Sequence, residues 1–151
     1  MKLLALDQSS KITGYAIFDQ GKLLEVGKFN LDGYELEERL VRLRNKVKEL
    51  ICDNEISQVA IEDIQMQNNV VNNVQTFKTL AEVMGVIIEL VTEMEIPLEV
   101  ISSNTWKSTC KIPKTGRAQE KRAAQAFVQA TFDRKVTQDE ADATCLGYHY
   151  S

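Results

Sequence analysis

The stretch from Leu3 to Phe18 constrains this chain more than any other part of the sequence. It is typical of two short strands joined by a polar turn, and its opening run Leu3–Leu6 is apolar, as in a strand buried on both faces. The run ends on a carboxylate, Asp7. A charge beside a buried strand is costly unless it is paired or binds a cation. The position of Asp7 therefore raises the question of what neutralises it.

The rest of the chain supplies a mixed α/β pattern. Three sequential strands with tight turns predict an antiparallel meander, and a helical crossover predicts that the next strand lies parallel to the first. The predicted strands are 2–8, 13–19, 22–31, 57–62 and 97–101, and the predicted helices are 34–53, 74–95, 117–131 and one starting near Thr137, where Thr137–Glu140 fits a capping box. Residues 65–73 are predicted to form a loop, and 102–110 a short polar segment. The result is a sheet of three antiparallel plus two parallel strands, flanked by helices on both faces.

The predicted helix 74–95 carries two apolar stripes. One contains Phe77, Leu80, Met84, Ile87, Ile88 and Val91, and the other contains Val83, Val86 and Leu90. Two apolar faces indicate two burial surfaces, of which one is the core and the other a subunit interface. A helix that is simply covered on all sides is the alternative.

Composition bounds the class of protein. The 151 residues suit one domain, 1–151, and 44% hydrophobic residues with mixed charges indicate a globular chain. No apolar run is long enough to span a bilayer, so we expect no membrane association. Three widely spaced cysteines without a CxxC pattern argue against a disulfide scaffold or a zinc site and favour a reducing cytoplasm.

Three further carboxylates have positions that match Asp7. Glu62 ends an apolar strand predicted to neighbour the first, and Asp139 and Asp142 are three residues apart on one helix face. Like charges in contact repel, and hard divalent cations remove that conflict. Two Mg²⁺ ions about 3.5–4 Å apart activate a water and stabilise the leaving oxygen in phosphoryl transfer. Solvated strand ends and an ordinary acidic helix start are the alternative interpretation.

A basic segment follows the last predicted strand. The net charge is −4, yet six cations (Lys107, Lys111, Lys114, Arg117, Lys121 and Arg122) are opposed within residues 107–122 only by Glu120. Such a segment beside an acidic cluster suits a metal-dependent phosphodiesterase, and a solvated basic loop is the alternative. A Ser-His-Asp triad would require the single histidine, His149, so we do not expect this type of nucleophile. The sequence also contains no glycine-rich phosphate-binding loop.

With these residues in view, the chain resembles the RuvC family of Holliday-junction resolvases, within the RNase H-like superfamily. The resemblance rests on Leu6–Tyr15, on Ala60–Glu62 and on Asp139–Ala143. It implies an RNase H-like fold and a structure-selective DNA endonuclease that cuts Holliday junctions and other branched DNA by metal-dependent hydrolysis. It also implies a homodimer through helix 74–95. The implied catalytic and metal-binding residues are Asp7, Glu62, Asp139 and Asp142, with two Mg²⁺ or Mn²⁺ ions.

The resemblance further implies that lysines after the last strand contact phosphate, with Lys107 and Lys121 as the matching residues; Lys111, Lys114 and Arg117 join them as predicted DNA contacts. The chain departs from the bacterial pattern in two places. Gln8-Ser9 replaces Pro-Gly, and no aromatic follows Glu62, so that Met66 is the predicted wedge at the junction. These departures suggest a phage-type member, working in the host cytoplasm, with a wider set of branched substrates. A non-catalytic RNase H-like protein that binds branched DNA is the rival, and the length excludes a two-lobed sugar-kinase fold.

Overall fold

The computed structural model describes residues 1–65 and 70–151, and the side chains of residues 70–73 are outside that description. The strands are β1 (Lys2–Asp7), β2 (Ile12–Asp19), β3 (Lys22–Asn30), β4 (Gln58–Glu62) and β5 (Leu98–Ile101). The helices are α1 (Leu36–Asn54), α2 (Val70–Glu93), α3 (Ser103–Thr109), α4 (Arg117–Phe132) and α5 (Gln138–Tyr150).

The five strands form one sheet in the order β3-β2-β1-β4-β5. The first three pair antiparallel, while β4 is parallel to both β1 and β5. The predicted mixed sheet is therefore confirmed, including the parallel pairing of β1 with β4. This topology places β1 at the centre, so its apolar residues are covered on both faces, which is why its sequence is an almost continuous apolar run.

Helices cover both faces of the sheet, as predicted. Side chains alternate along β1, so that Leu4 and Leu6 pack with α1 and α2 while Leu3 and Ala5 pack with α3, α4 and α5. Helix α5 is the element that packs most closely on the centre of the sheet. Added to Gly147, a Cβ atom would come within 3.0 Å of Ala5 Cβ and would overlap the Phe18 ring. The start of α5 lies near the end of β1 and the start of β2.

One predicted boundary is wrong, and one helix was not predicted. Helix α2 begins at Val70, so residues 70–73 of the predicted loop 65–73 belong to the helix. The segment 102–110 is not merely polar, because it contains the helix α3. Ser102 caps this helix by accepting a hydrogen bond from the Thr105 N–H, and Trp106, 2% exposed, anchors it in the core. A serine cap followed by one large apolar side chain was the available signal.

The second apolar stripe of α2 belongs to the core. Val83 and Leu90 are fully buried and pack against α1 and the sheet, so assigning this stripe to a subunit interface is wrong for these two residues. The sequence pattern could not distinguish the stripes because the buried face of α2 is wide. The apolar residues of α2 that reach the surface are elsewhere, with Val74 at 41% and Ile88 at 40% exposed.

Candidate active site

The carboxyl ends of β1 and β4 place two acidic side chains next to each other. Leu6 pairs with Ile61 in the parallel register, and each strand ends one residue later, at Asp7 and at Glu62. Gln8 fastens this edge. Its Nε2 group donates to the Glu62 carbonyl at 2.6 Å, and the Glu62 N–H donates back to Gln8 Oε1 at 3.3 Å. The main chain of Glu62 is thus held to the end of β1 by a two-way amide contact.

Helix α5 brings the other two carboxylates to the same edge. Gly14, the partner of Asp7 in β2, lies directly under the first turn of α5; a Cβ there would overlap the Asp139 carbonyl and lie 2.9 Å from Glu140 N. Only a residue without a side chain permits this approach. The helix start is fixed by the Thr137 N–H, which donates to Glu140 Oε1 at 2.9 Å, and the predicted capping box is present.

All four predicted carboxylates, Asp7, Glu62, Asp139 and Asp142, line one open cleft of about 850 Å³. Each is partly buried. Asp7 keeps an edge towards the cleft, yet protein atoms surround it on most sides. Burial raises its pKa well above the usual range, and the carboxylates of Asp142, Glu62 and Asp139 raise the pKa further. The structure thus brings the four predicted carboxylates into one cleft, and their catalytic role stays a prediction.

The cleft carries excess negative charge that its own cations offset only in part. Burial raises the pKa of Asp142 to about 6, and Glu62 adds to the rise while Lys107 and Lys121 oppose it. Burial also raises the pKa of Glu62, against a lowering by the Trp106 hydrogen bond and by Lys107. Added positive charge would stabilise the ionised form of acids whose pKa values are raised in this way.

The donor set suits a hard divalent ion. Among the described residues that line the cleft, the charged donors are carboxylates, and none is a thiolate or an imidazole. Carboxylate oxygens are the ligand class that Mg²⁺ and Mn²⁺ prefer. Within residues 1–65 and 70–151 no three of the acidic, histidine or cysteine side chains converge closely enough to enclose one ion. Four like charges without counterions repel one another and are therefore expected to stand apart. The residues fit metal ions that draw them together.

The predicted DNA contacts divide into two groups. Lys107, Arg117 and Lys121 line the carboxylate cleft, and Lys107 Nζ is 3.6 Å from Glu120 Oε1. Lys111 and Lys114 are exposed on the loop before α4, outside the cleft lining. Met66 falls outside the described residues.

Sequence reasoning missed two residues of this site. Gln8 appeared only as a departure from a family pattern, although it holds the main chain of Glu62. Trp106 has no place among the predicted site residues, although its Nε1–H donates to Glu62 Oε2 at 2.8 Å. Neither contact has a signal in the local sequence, because each joins residues more than 40 positions apart.

The sheet order and the acidic edge define a chain of RNase H-like architecture. The family described as "Crossover junction endodeoxyribonuclease RuvC" matches residues 3–147, and the chain belongs to this RuvC family. Resolvases of the family are metal-dependent nucleases. No curated protein sequence matches the chain significantly.

Solved structures share the fold over almost the whole chain. Thermus thermophilus RuvC in complex with a Holliday junction substrate has a TM-score of 0.78 at 15% identity, covering 99% of this chain and 92% of that one. The Fowlpox virus resolvase in its complex with Holliday junction DNA gives 0.63 at 15%, with 99% and 96% covered. The yeast mitochondrial Holliday junction resolvase gives 0.62 at 11%, with 98% and 76% covered. The predicted fold class is confirmed. No helix in the described part of the chain is long and apolar enough to cross a membrane.

Proposed function

We propose that this protein is an endonuclease that cuts Holliday junctions and other branched DNA by metal-dependent phosphodiester hydrolysis. The observation that carries the proposal is that Asp7, Glu62, Asp139 and Asp142 line one cleft, together with Lys107, Arg117 and Lys121, in a chain of the RuvC family. Residues 1–151 act as a single nuclease domain in this proposal.

In the proposed mechanism, Asp7, Glu62, Asp139 and Asp142 would hold two Mg²⁺ ions, for which Mn²⁺ would substitute. Bound ions supply the means to ionise a water and to neutralise the departing oxygen. Lys107, Arg117 and Lys121 bind backbone phosphates and so align the scissile group over the acidic edge. Hydrolysis forms one new phosphorus–oxygen bond to the water oxygen and breaks one to the sugar oxygen, which takes up a proton. The exposed Lys111 and Lys114 contact phosphates farther along the DNA arm.

We also propose a homodimer, so that each subunit cuts one strand of a symmetric junction. Val74, Ala81 and Ile88 are spaced by seven residues and are exposed on α2, while the buried residues of the helix face the core. Exposed apolar residues at this spacing form a stripe that a second α2 would cover. We therefore assign the dimer interface to Val74, Ala81 and Ile88, and no longer to the stripe that contains Leu90.

We also propose that the protein is encoded by a phage and works in the host cytoplasm. Gln8 in place of proline fits a phage-type member, for which the wedge role falls to Met66 by sequence. The cysteines Cys52, Cys110 and Cys145 are all free, which fits the reducing cytoplasm of a host cell.

A cleavage assay tests the proposal. End-labelled four-way, three-way and linear duplex DNA are incubated with wild-type protein in Mg²⁺, in Mn²⁺ or in EDTA, and the products are resolved on a gel. We expect ion-dependent cleavage of the branched substrates, with the linear duplex left intact. Asp7→Asn is expected to abolish cleavage but to retain junction binding in a mobility-shift assay.

The matched control is Asp53→Asn, an exposed carboxylate at the end of α1, which is expected to cleave normally. Junction binding by the wild type without cleavage in either ion would favour the rival, a non-catalytic branched-DNA-binding protein. The observation that favours this rival is that the carboxylates do not converge closely enough, among the described residues, to enclose one ion. Full activity of Asp7→Asn would contradict the role given to this residue.

A further inference from the structure

Trp106 is the only tryptophan of the chain, and its indole reaches into the acidic site from the core. The side chain is 2% exposed, and its Nε1–H donates to Glu62 Oε2 at 2.8 Å. A buried indole N–H requires an acceptor, and a charged carboxylate is a stronger acceptor than a neutral group. One contact therefore joins the hydrophobic core around α3 to an acidic side chain of the cleft.

The main chain of Glu62 is already fixed by other groups. The parallel pairing with β5 places Glu62 opposite Ile101, and Gln8 holds its carbonyl and N–H groups. What remains free is the rotation of the Glu62 side chain, which has three torsions between the main chain and the carboxylate. Trp106 engages one oxygen of that carboxylate and restricts these torsions.

We propose that Trp106 is a positioning residue that orients the carboxylate of Glu62 for metal binding. The inference rests on the proposed function, because it requires Glu62 to be a metal ligand. Groups that hydrogen-bond a metal ligand from its far side set its orientation, and their loss typically lowers metal affinity by about 10–100-fold. Gln8 sets where Glu62 stands, and Trp106 sets where its oxygens point.

A purely structural role for Trp106 gives different consequences. The indole packs in the core cluster with Ile101, Cys110 and Cys145, so its loss would lower stability in either case. If packing were its whole role, replacing only the N–H group would leave metal affinity unchanged. A test must therefore remove the hydrogen bond while keeping the shape of the ring.

Because the chain has one tryptophan, β-(3-benzothienyl)alanine can replace Trp106 alone in a tryptophan-auxotrophic expression host. This analogue has a sulfur atom in place of the N–H group and nearly the same shape. Binding of Mn²⁺ is measured by isothermal titration calorimetry and by electron paramagnetic resonance. We expect the affinity to fall by about 10–100-fold while the melting temperature changes little.

Trp106→Phe removes the same hydrogen bond together with part of the ring, and we expect the Mg²⁺ concentration for half-maximal cleavage to rise by a similar factor. The matched control is Phe18→Leu. It removes buried aromatic volume from the part of β2 that is far from the cleft, where Phe18 pairs with Leu3. This variant should lose stability and keep the Mn²⁺ affinity of the wild type.

The outcomes separate the two proposals. Wild-type protein that binds no Mn²⁺ would overturn the metal-dependent mechanism, and the inference about Trp106 with it. Wild-type protein that binds Mn²⁺, together with a benzothienyl variant of equal affinity, would overturn the inference alone. Indole emission gives an independent measurement: added Mg²⁺ should shift the emission of the wild type but not that of Glu62→Gln. If wild-type protein binds Mg²⁺ and its indole emission does not change, the positioning role of Trp106 is contradicted.

Discussion

At the scale of single residues, the acidic site depends on one position that has no side chain. Gly14 lets α5 approach β2 so closely that a methyl group would overlap the Asp139 carbonyl. The obstacle is main chain, which cannot rotate away as a flexible side chain does. The placement of Asp139 and Asp142 beside Asp7 is therefore set by a glycine in another element.

We predict that Gly14→Ala displaces α5 and lowers the free energy of unfolding by about 1–3 kcal/mol, the usual cost of overpacking. Mn²⁺ affinity and cleavage should fall together, because Asp139 moves with the helix. Urea unfolding and calorimetry measure the two effects. Lys28→Ala is the control, since Lys28 faces Gly14 across the strand pair but is exposed. Normal stability and metal binding of Gly14→Ala would contradict the packing argument.

The lysines that we expect to contact DNA lie in two places, in the cleft and on an exposed loop. Lys121 lines the cleft, whereas Lys114 is exposed on the loop before α4. Each lysine that neutralises a phosphate contributes about 0.9 to the slope of log affinity against log salt. Lys121→Ala should weaken junction binding, reduce this slope by about one, and also slow cleavage.

Lys114→Ala is the matched variant. We expect it to change the slope of log affinity against log salt by a similar or smaller amount, and to leave the cleavage rate at saturating protein unchanged. Fluorescence anisotropy over a series of salt concentrations measures the slopes, and single-turnover cleavage measures the rates. An unchanged slope for Lys121→Ala would remove this residue from the DNA interface.

At the scale of elements, α2 has a buried side and an exposed apolar side. Val83 and Leu90 pack in the core, whereas Ile88 is 40% exposed. A change at Leu90 would destabilise the fold itself, since leucine-to-alanine changes in a core cost about 2–5 kcal/mol. A change at Ile88 tests association without touching the core.

We predict that the wild type sediments as a dimer and that Ile88→Lys sediments as a monomer with nearly the wild-type melting temperature. A charge placed in an apolar interface is left unpaired, and the association is lost. Sedimentation velocity measures both species. The control is Leu24→Lys on β3, an exposed apolar residue away from α2. A monomeric wild type, or a dimeric Ile88→Lys, would rule out this interface.

The elements also show what the sequence could and could not predict. Strand β1 and its terminal Asp7 were predictable because an apolar run that stops on a charge has few explanations. The parallel partner ending in Glu62 followed from the crossover rule. The helix α3 was missed because seven residues are too short for a periodic pattern. The contacts of Gln8 and Trp106 with Glu62 depend on tertiary structure, so no local pattern encodes them.

At the scale of the whole molecule, the acidic site opposes folding when no ion is bound. The pKa of Asp7 lies well above its usual range and that of Asp142 is about 6, against 3.8 for an unperturbed aspartate. The folded protein therefore binds protons more tightly than the unfolded chain. Stability is then highest below the unfolded pKa and falls as pH rises through the folded values.

We predict that in EDTA the free energy of unfolding falls by about 1–3 kcal/mol between pH 4 and pH 8, the lower figures allowing for the partial exposure of these side chains. Asp142→Asn should flatten this fall, and saturating Mg²⁺ should reverse it by binding the ionised carboxylates. Urea unfolding at several pH values measures the effect. Stability that rises with pH in EDTA would contradict the electrostatic account.

In the proposed function, Asp7, Glu62, Asp139 and Asp142 close around divalent ions. This arrangement can be observed in a crystal of the protein soaked in Mn²⁺, with an anomalous difference map recorded at the manganese edge. We expect two peaks in the cleft, about 3.5–4 Å apart and bound to these four carboxylates. A map in which the cleft holds no manganese, while the protein is folded and the ion is present in excess, would contradict it.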